Sequence, residues 1–289
     1  MSIIDHTITL EQSQRQAELP LAIPNPPNLF FCSPAPASYK CKMKRKPLSK
    51  KELSKALLEV GMGNGLSVLA PSDRDDGISC LADAFIQDPL FLWSAATPLP
   101  DEKKETLVRF LLGWMNHRIL TGATGVAVGV RQNGELLGTM TLKPSSNHKE
   151  TILDILAGIW NCGWPPMYKD KEYPPHSRKR LESMAVVPKR REEVMSDAQN
   201  RWIYIQSIGV RKSGQGKGIG KRMLNVAIAA ADKLEVPIFL ETESEGNVAM
   251  YRHFGFENAE TLELSADGDT SDDAKFTMWL MRKEPGRKS

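Results

Sequence analysis

Between residues 214 and 221 a glycine occupies every second position, in Gly214-Gln215-Gly216-Lys217-Gly218-Ile219-Gly220-Lys221, and few chain paths accommodate that. Residues 202–210 form an apolar run that reads as a strand. After the glycines, Ile219, Met223, Leu224, Ala227, Ile228 and Ala231 recur at helical spacing. That predicts a helix over 218–234 packed on a sheet, with Lys221, Arg222, Asn225 and Lys233 toward water. Strand, glycine loop and helix in this order bring the loop's N–H groups together with the orphan donors and positive dipole end of the helix. The product is an anion site, and phosphate is the anion it suits.

Spacing narrows the ligand. A Walker A loop needs glycine, four residues, Gly-Lys and then a hydroxyl residue. Counting back from Gly220-Lys221 puts Gln215 where glycine is required and Arg222 where Ser or Thr is required. The dinucleotide pattern G-x-G-x-x-G begins at neither Gly214 nor Gly216. What remains is Q-x-x-G-x-G, with Gln215, Gly218 and Gly220 at its defined positions. A turn of this kind also serves purely structural ends, so its context decides.

That context mixes helices and strands. Residues 66–70 predict a first strand. A helix over 73–87 follows, with Ile78, Leu81, Ala82 and Phe85 on one face, then a second over 102–121 with Leu107, Phe110, Leu111 and Met115. Runs at 125–131 and 136–142 flank Asn133-Gly134, a strong hairpin signal. Residues 144–200 read as a long, charged, mostly helical insertion, with a helix on each side of Trp160-Asn161-Cys162-Gly163-Trp164-Pro165-Pro166. Strands over 237–241, 257–264 and 275–282 and a short helix over 247–254 complete an α/β pattern in three layers. Residues 1–63 stand apart: Pro20, Pro24, Pro26, Pro27, Pro34 and Pro36 precede a basic run from Lys40 to Lys46. They predict a solvated, disordered tail with at most a short helix over 51–60, before a domain spanning 64–285.

Several function classes drop away. A net charge of +3 gives no electrostatic footprint for nucleic acid. Cys32, Cys41, Cys80 and Cys162 form no C-x-x-C pair and no ligand-spaced cluster with histidine, so no metal is expected and a reducing compartment fits. No apolar run reaches membrane-spanning length. The first residues lack a basic-then-apolar leader pattern and carry Asp5, Glu11 and Glu18. The expected location is the cytoplasm, with the nucleus second because of the basic run.

Beyond the glycine loop, Ser207-Ile208-Gly209-Val210 precedes it and Val236-Pro237-Ile238-Phe239-Leu240-Glu241-Thr242 follows it. Asn247-Val248-Ala249-Met250-Tyr251-Arg252-His253-Phe254-Gly255-Phe256 and Trp279-Leu280-Met281-Arg282 come later. In order and spacing over 202–282, these segments resemble the GNAT superfamily of N-acetyltransferases, and within it the puromycin N-acetyltransferase group. Residues 66–143 agree with that family by pattern, and residues 1–63 lie outside the resemblance. The family commonly carries a proline two residues after the strand valine, whereas here Val210 leads into Arg211-Lys212-Ser213-Gly214.

The resemblance implies a GNAT-like, mostly antiparallel central sheet with helices on both faces, the long helical insertion lying before the cofactor-binding strand and beside the acceptor. It implies acetyl-CoA as co-substrate. The pyrophosphate would lie on Gln215, Gly216, Lys217, Gly218, Ile219, Gly220 and Lys221, and the pantetheine and acetyl carbonyl along Ile208, Gly209 and Val210. Asn247 and Tyr251, four residues apart on one helix face, would meet the thioester, Tyr251 as proton donor to the leaving sulfur. An amine of pKa ~10 must first lose a proton. Glu241 at its strand end is the candidate base, with Tyr204, Gln206, Glu182 and Glu192 as other acceptor-side residues. A small-molecule amine is the expected acceptor. The alternatives are a protein lysine or N-terminus, or a CoA-binding module without catalysis.

Overall fold

The structure is a computed structural model, and it describes residues 45–286 other than 62, 64, 148, 150 and 167–172. Its sheet has the order β1-β2-β3-β4-β5-β7-β6, built from β1 (Leu66–Val68), β2 (Val126–Gln132), β3 (Glu135–Pro144), β4 (Ile203–Val210), β5 (Ile238–Thr242), β6 (Glu257–Ser265) and β7 (Lys275–Lys283). Every neighbouring pair is antiparallel except β4 with β5. Asn133 and Gly134 both take positive φ, the geometry of a tight hairpin turn between β2 and β3.

Period-two alternation distributes the side chains to two faces. Val126, Val128 and Val130 of β2 share a core with α1 (Lys50–Glu59) and with α8 (Ile219–Leu234), whose Ile219, Met223, Leu224, Ala227, Ala230 and Ala231 are buried. Ala127 faces the other way, toward Ile78 and Cys80 of α2 (Arg74–Phe85) and Ile119 of α4 (Asp101–Leu120). A third cluster sets Trp202, just before β4, Tyr204 of β4 and Phe239 of β5 against α3 (Pro89–Ala95) and α7 (Val186–Val194). The sequence pattern does not predict α3, a helix of seven residues.

Two features of β4 shape the centre of the sheet. Its pairing with β5 consists of Ile203 with Ile238 and Tyr204 with Phe239, after which the strands part. Its pairing with β3 jumps from Leu142–Ile205 to Thr141–Ser207, so Gln206 is the extra residue of a β-bulge. The bulge reverses the alternation. Ile203 and Ile205 belong to the α8 face, but so do Ile208 and Val210. Ser207 and Gly209 therefore turn toward α2 and α4.

The folded part begins earlier than residue 64. Leu48, Leu53 and Leu57 are 0% exposed in the main core. Each such burial stabilises by ~1.5–3 kcal/mol, against a whole-domain margin of ~5–15 kcal/mol. Ser49 and Glu52 form a capping box that starts α1, a signal present in the sequence as S-x-x-E. The Pro-rich stretch and the basic run up to Lys44 lie outside the described residues.

The 144–200 segment contributes α5 (Ile152–Cys162), α6 (Pro175–Ser183) and α7. Arg180 anchors α6 to the β6–β7 turn, with Nε 2.7 Å from Asp269 Oδ2 and Nη2 2.8 Å from Asp273 Oδ1.

Candidate active site

Gly216 and Gly218 adopt φ of +75° and +70°, which side chains on an L-residue resist. A Cβ at either would meet nothing within 4 Å, so backbone conformation alone calls for glycine there. Gly218 is the N-cap of α8 and offers no side chain to its first turn. The amides of Gln215 and Lys217 bond to the carbonyls of Lys212 and Gly214. Those of Gly216, Gly218, Ile219, Gly220 and Lys221 have no partner among the described residues. Free amides at a helix N-terminus fit a diphosphate. The loop is pinned from behind: Asp83 accepts from the Lys212 amide at 2.8 Å, and Gln215 Nε2 donates to the Val210 carbonyl at 3.2 Å.

From this loop a cavity of about 700 Å³ runs along β4 into the gap left where β5 departs. Ile208, Gly209, Val210, Gln215, Gly220, Lys221, Glu241, Asn247 and Tyr251 all line it, so most of the sequence-derived site residues converge. Gly216, Lys217 and Gly218 sit outside the lining on the exposed loop, and the Ile219 side chain is in the core. Gly209 has a different reason to be glycine than ligand approach. A Cβ there would stand 2.8 Å from Ala84 Cβ and 3.1 Å from Phe85 Cε2, so the missing side chain lets α2 lie on the sheet.

Tyr251 and Asn247 project from α9 (Glu245–His253), whose N-cap is Ser244 and not Asn247. Tyr251 is 6% exposed and stacks edge-on against Phe256. Its side chain lines the cavity, and its hydroxyl has no hydrogen-bond partner among the described residues. Burial, and next the charges of Glu243 and Asp88, push its phenol well above the usual range.

Glu241 is engaged elsewhere. Arg191 Nε of α7 lies 2.7 Å from one carboxylate oxygen, and the Tyr204 hydroxyl donates to the other at 2.5 Å. The guanidinium also stacks 4.0 Å over the Tyr204 ring. A carboxylate held on both oxygens by a cation and a phenol is a structural anchor and a poor proton acceptor. Of the other acceptor-side residues, Gln206 lines the cavity while Glu192 pairs with Lys149 at 3.0 Å away from it. Among the described residues, none of the 144–200 insertion lines the cavity; α2, α3 and α4 wall it instead, through Phe85, Phe91, Leu112 and Met115.

Two cavity residues escaped the sequence reading. Asp88 caps α3, its Oδ1 accepting from the Leu90 amide at 3.0 Å, and burial raises its carboxyl to about 6. Burial, then the neighbouring charges of Asp88 and Glu241, raises the Glu243 carboxyl well above the ordinary range. A D-P-L helix start was the only local signal for the first, and Glu243 was hidden beside Glu241.

A buried polar network fixes the cavity floor. Asn116 of α4 donates to Ser207 Oγ at 3.1 Å and accepts from Thr141 Oγ1 at 2.7 Å.

Residues 88–256, more than half of the chain, match the acetyltransferase (GNAT) family. An uncharacterised N-acetyltransferase of Schizosaccharomyces pombe, C550.08, is 24% identical over 221 residues, covering 75% of this chain and 82% of its own length. The crystal structure of histone acetyltransferase HPA2 and related acetyltransferase from Corynebacterium glutamicum is 21% identical and superposes with a TM-score of 0.45 over 78% of this chain and 97% of its own. The Drosophila melanogaster polyamine N-acetyltransferase gives 11%, 0.47, 76% and 99% for the same quantities. The chain belongs to the GNAT family and is an acetyl-transferring enzyme.

Proposed function

We propose that this enzyme moves the acetyl group of acetyl-CoA directly to the amine of a small molecule. The observation that carries the reading is the parting of β4 from β5 after Tyr204 and Phe239, which opens one continuous cavity from the glycine loop to Tyr251. The free amides of Gly216 and Gly218–Lys221 would hold the pyrophosphate, with Lys217 and Lys221 adding charge. The backbone of Ile208, Gly209 and Val210 would align the pantetheine, and Asn247 and Tyr251 the thioester. The walls from α2, α3 and α4 enclose the acceptor end, which suits a small amine better than a loop of a folded protein. The sequence likeness to the puromycin N-acetyltransferase group supports the same acceptor class. Free Cys80 and Cys162 suit a reducing compartment such as the cytoplasm.

Tyr251 serves the leaving sulfur. A phenol this hard to ionise gives its proton to a thiolate, whose ordinary pKa is ~8.5, only as another proton reaches its oxygen. It donates a hydrogen bond that strengthens as charge develops on sulfur, and it passes the proton as the C–S bond opens.

A thiol-release screen with acetyl-CoA across polyamines, aminonucleosides, aryl amines and lysine or N-terminal peptides tests this. Release with free amines is expected. Release confined to peptides overturns the acceptor class, and CoA binding unaffected by Gly218→Glu moves the cofactor elsewhere.

A further inference from the structure

Asp88 at the start of α3 and Glu243 just past β5 both line the cavity, as does Tyr251 with its partnerless hydroxyl. Among the described residues neither carboxyl has a Lys, Arg or His within ion-pair distance. The charged and titratable groups around them are few. Glu241 on β5 is ion-paired with Arg191 of α7 and accepts from the Tyr204 hydroxyl of β4, Tyr251 comes from α9, and Lys221 of α8 lines the far end of the same cavity. Two like carboxyls in a half-buried space do not both ionise readily.

We propose that Asp88 and Glu243 act as one proton-accepting pair that seats the acceptor's ammonium group and takes its proton, beside a Tyr251 hydroxyl that serves the departing sulfur. The inference rests on the acetyl-transfer reading and adds to it the acceptor's charge: the substrate arrives as a primary or secondary ammonium ion.

The proton balance is complete. The ammonium gives one proton to the pair, and its freed lone pair forms the N–C bond to the thioester carbonyl. When that carbonyl re-forms, the C–S bond breaks and its electrons go to sulfur. Sulfur takes the Tyr251 proton, and the nitrogen's second proton returns to the tyrosine oxygen. The products are the amide, the thiol and one proton on the carboxyl pair, which leaves to solvent.

Charge also couples the two ends. The negative charge of Glu243 and Asp88 helps hold the Tyr251 proton in place. Once the pair has accepted the ammonium proton, that charge is gone and the phenol becomes a better donor. The amine is thus activated before the donor is, and the hydroxyl is not deprotonated in the resting enzyme.

The test uses the full chain, CoA, and propylamine as a plain ammonium probe. Three readouts are taken on wild type, Glu243→Gln and Asp88→Asn: CoA affinity by calorimetry, carboxyl titration by NMR of Asp- and Glu-labelled protein, and the pH profile of propylamine acetylation. Expected are unchanged CoA affinity, an Asp88 titration near 6 in wild type, and a Glu243 titration that moves down in Asp88→Asn, where the neighbouring charge is gone but burial remains. Wild-type kcat/KM should rise through that pH and level off. In Glu243→Gln it should fall by ~10²–10⁴-fold and keep climbing toward the amine's own pKa near ~10. A Glu243 titration indifferent to residue 88 overturns the pair whether or not propylamine turns over, as does an unaltered rate and profile in Glu243→Gln. Failure of wild type to bind CoA instead overturns the acetyl-CoA reading, and the titration still reports on the pair by itself.

Discussion

Arg191 of α7 and Glu241 of β5 meet at 2.7 Å with both side chains largely buried, and Tyr204 closes the arrangement from β4. The pair ties the inserted helix to the strand at the edge of the cavity gap. Removing one member leaves the other charge without a partner in a dry setting, at a cost of ~3–5 kcal/mol. Arg191→Met should therefore lower the thermal midpoint sharply, read by calorimetric scan. Glu241→Gln should keep turnover within about threefold of wild type wherever the protein is folded, because Glu241 is not expected to accept the substrate proton. Loss of turnover with a native fold would return that role to Glu241.

Asp88 makes stability depend on pH in an unusual direction for a carboxylate. Its folded value of about 6 lies above an unfolded value near ~3.9. The native state then binds more protons than the unfolded chain between these limits, so stability present below the lower one is lost as pH rises through the upper. Asparagine caps a helix as well as aspartate does. Asp88→Asn should match wild type near pH 4 and exceed it at pH 7 by up to about 3 kcal/mol, the figure being shared with Glu243. Thermal midpoints taken from pH 4 to 8 check this, and parallel curves would refute it.

The glycine positions show how far local pattern reaches. Gly216 and Gly218 declare themselves by spacing, because positive φ is a local demand. The strands, the hairpin and α8 were legible for the same reason, each carrying its own period or turn. Glu241 and Glu243 look alike in sequence. What separates them is Arg191, fifty positions away, which ion-pairs with the first and not the second. Asp88 likewise precedes a helix of seven residues, too short for a hydrophobic period to appear, so neither α3 nor its cavity role could be read. The early edge of the domain was legible in the Ser49–Glu52 box, but only packing shows that Leu48 and Leu57 complete the core.

Gly209 and Gly218 should both lose stability on alanine substitution, but for different reasons. At Gly209 the new methyl would lie 2.8 Å from Ala84 Cβ, forcing α2 off the sheet at ~1–3 kcal/mol. At Gly218 the space is open, and only the left-handed backbone opposes it, at ~1–2 kcal/mol. Gly209→Ala should widen the cavity and weaken CoA binding together with stability. Gly218→Asn, a residue that tolerates positive φ, should restore what Gly218→Ala loses, whereas Gly209 should accept no such rescue. Denaturant midpoints and CoA calorimetry on the four variants decide it.

Tyr251→Phe isolates chemistry from folding. The hydroxyl has no partner among the described residues, so its removal breaks no hydrogen bond and leaves the ring's contact with Phe256 intact. Deleting a hydroxyl that faces the cavity and bonds to no protein group costs the fold little. The thermal midpoint should hold, and CoA affinity should stay the same. If the hydroxyl assists the departing thiolate, kcat should fall by roughly 10–10³-fold with kcat/KM following it, the pattern of an interaction made only in the transition state. A thiol-release assay on an acceptor found in the amine screen measures it. Undiminished kcat in a folded Tyr251→Phe enzyme would mean that sulfur leaves without that proton, and that the carboxyl pair carries the proton traffic alone.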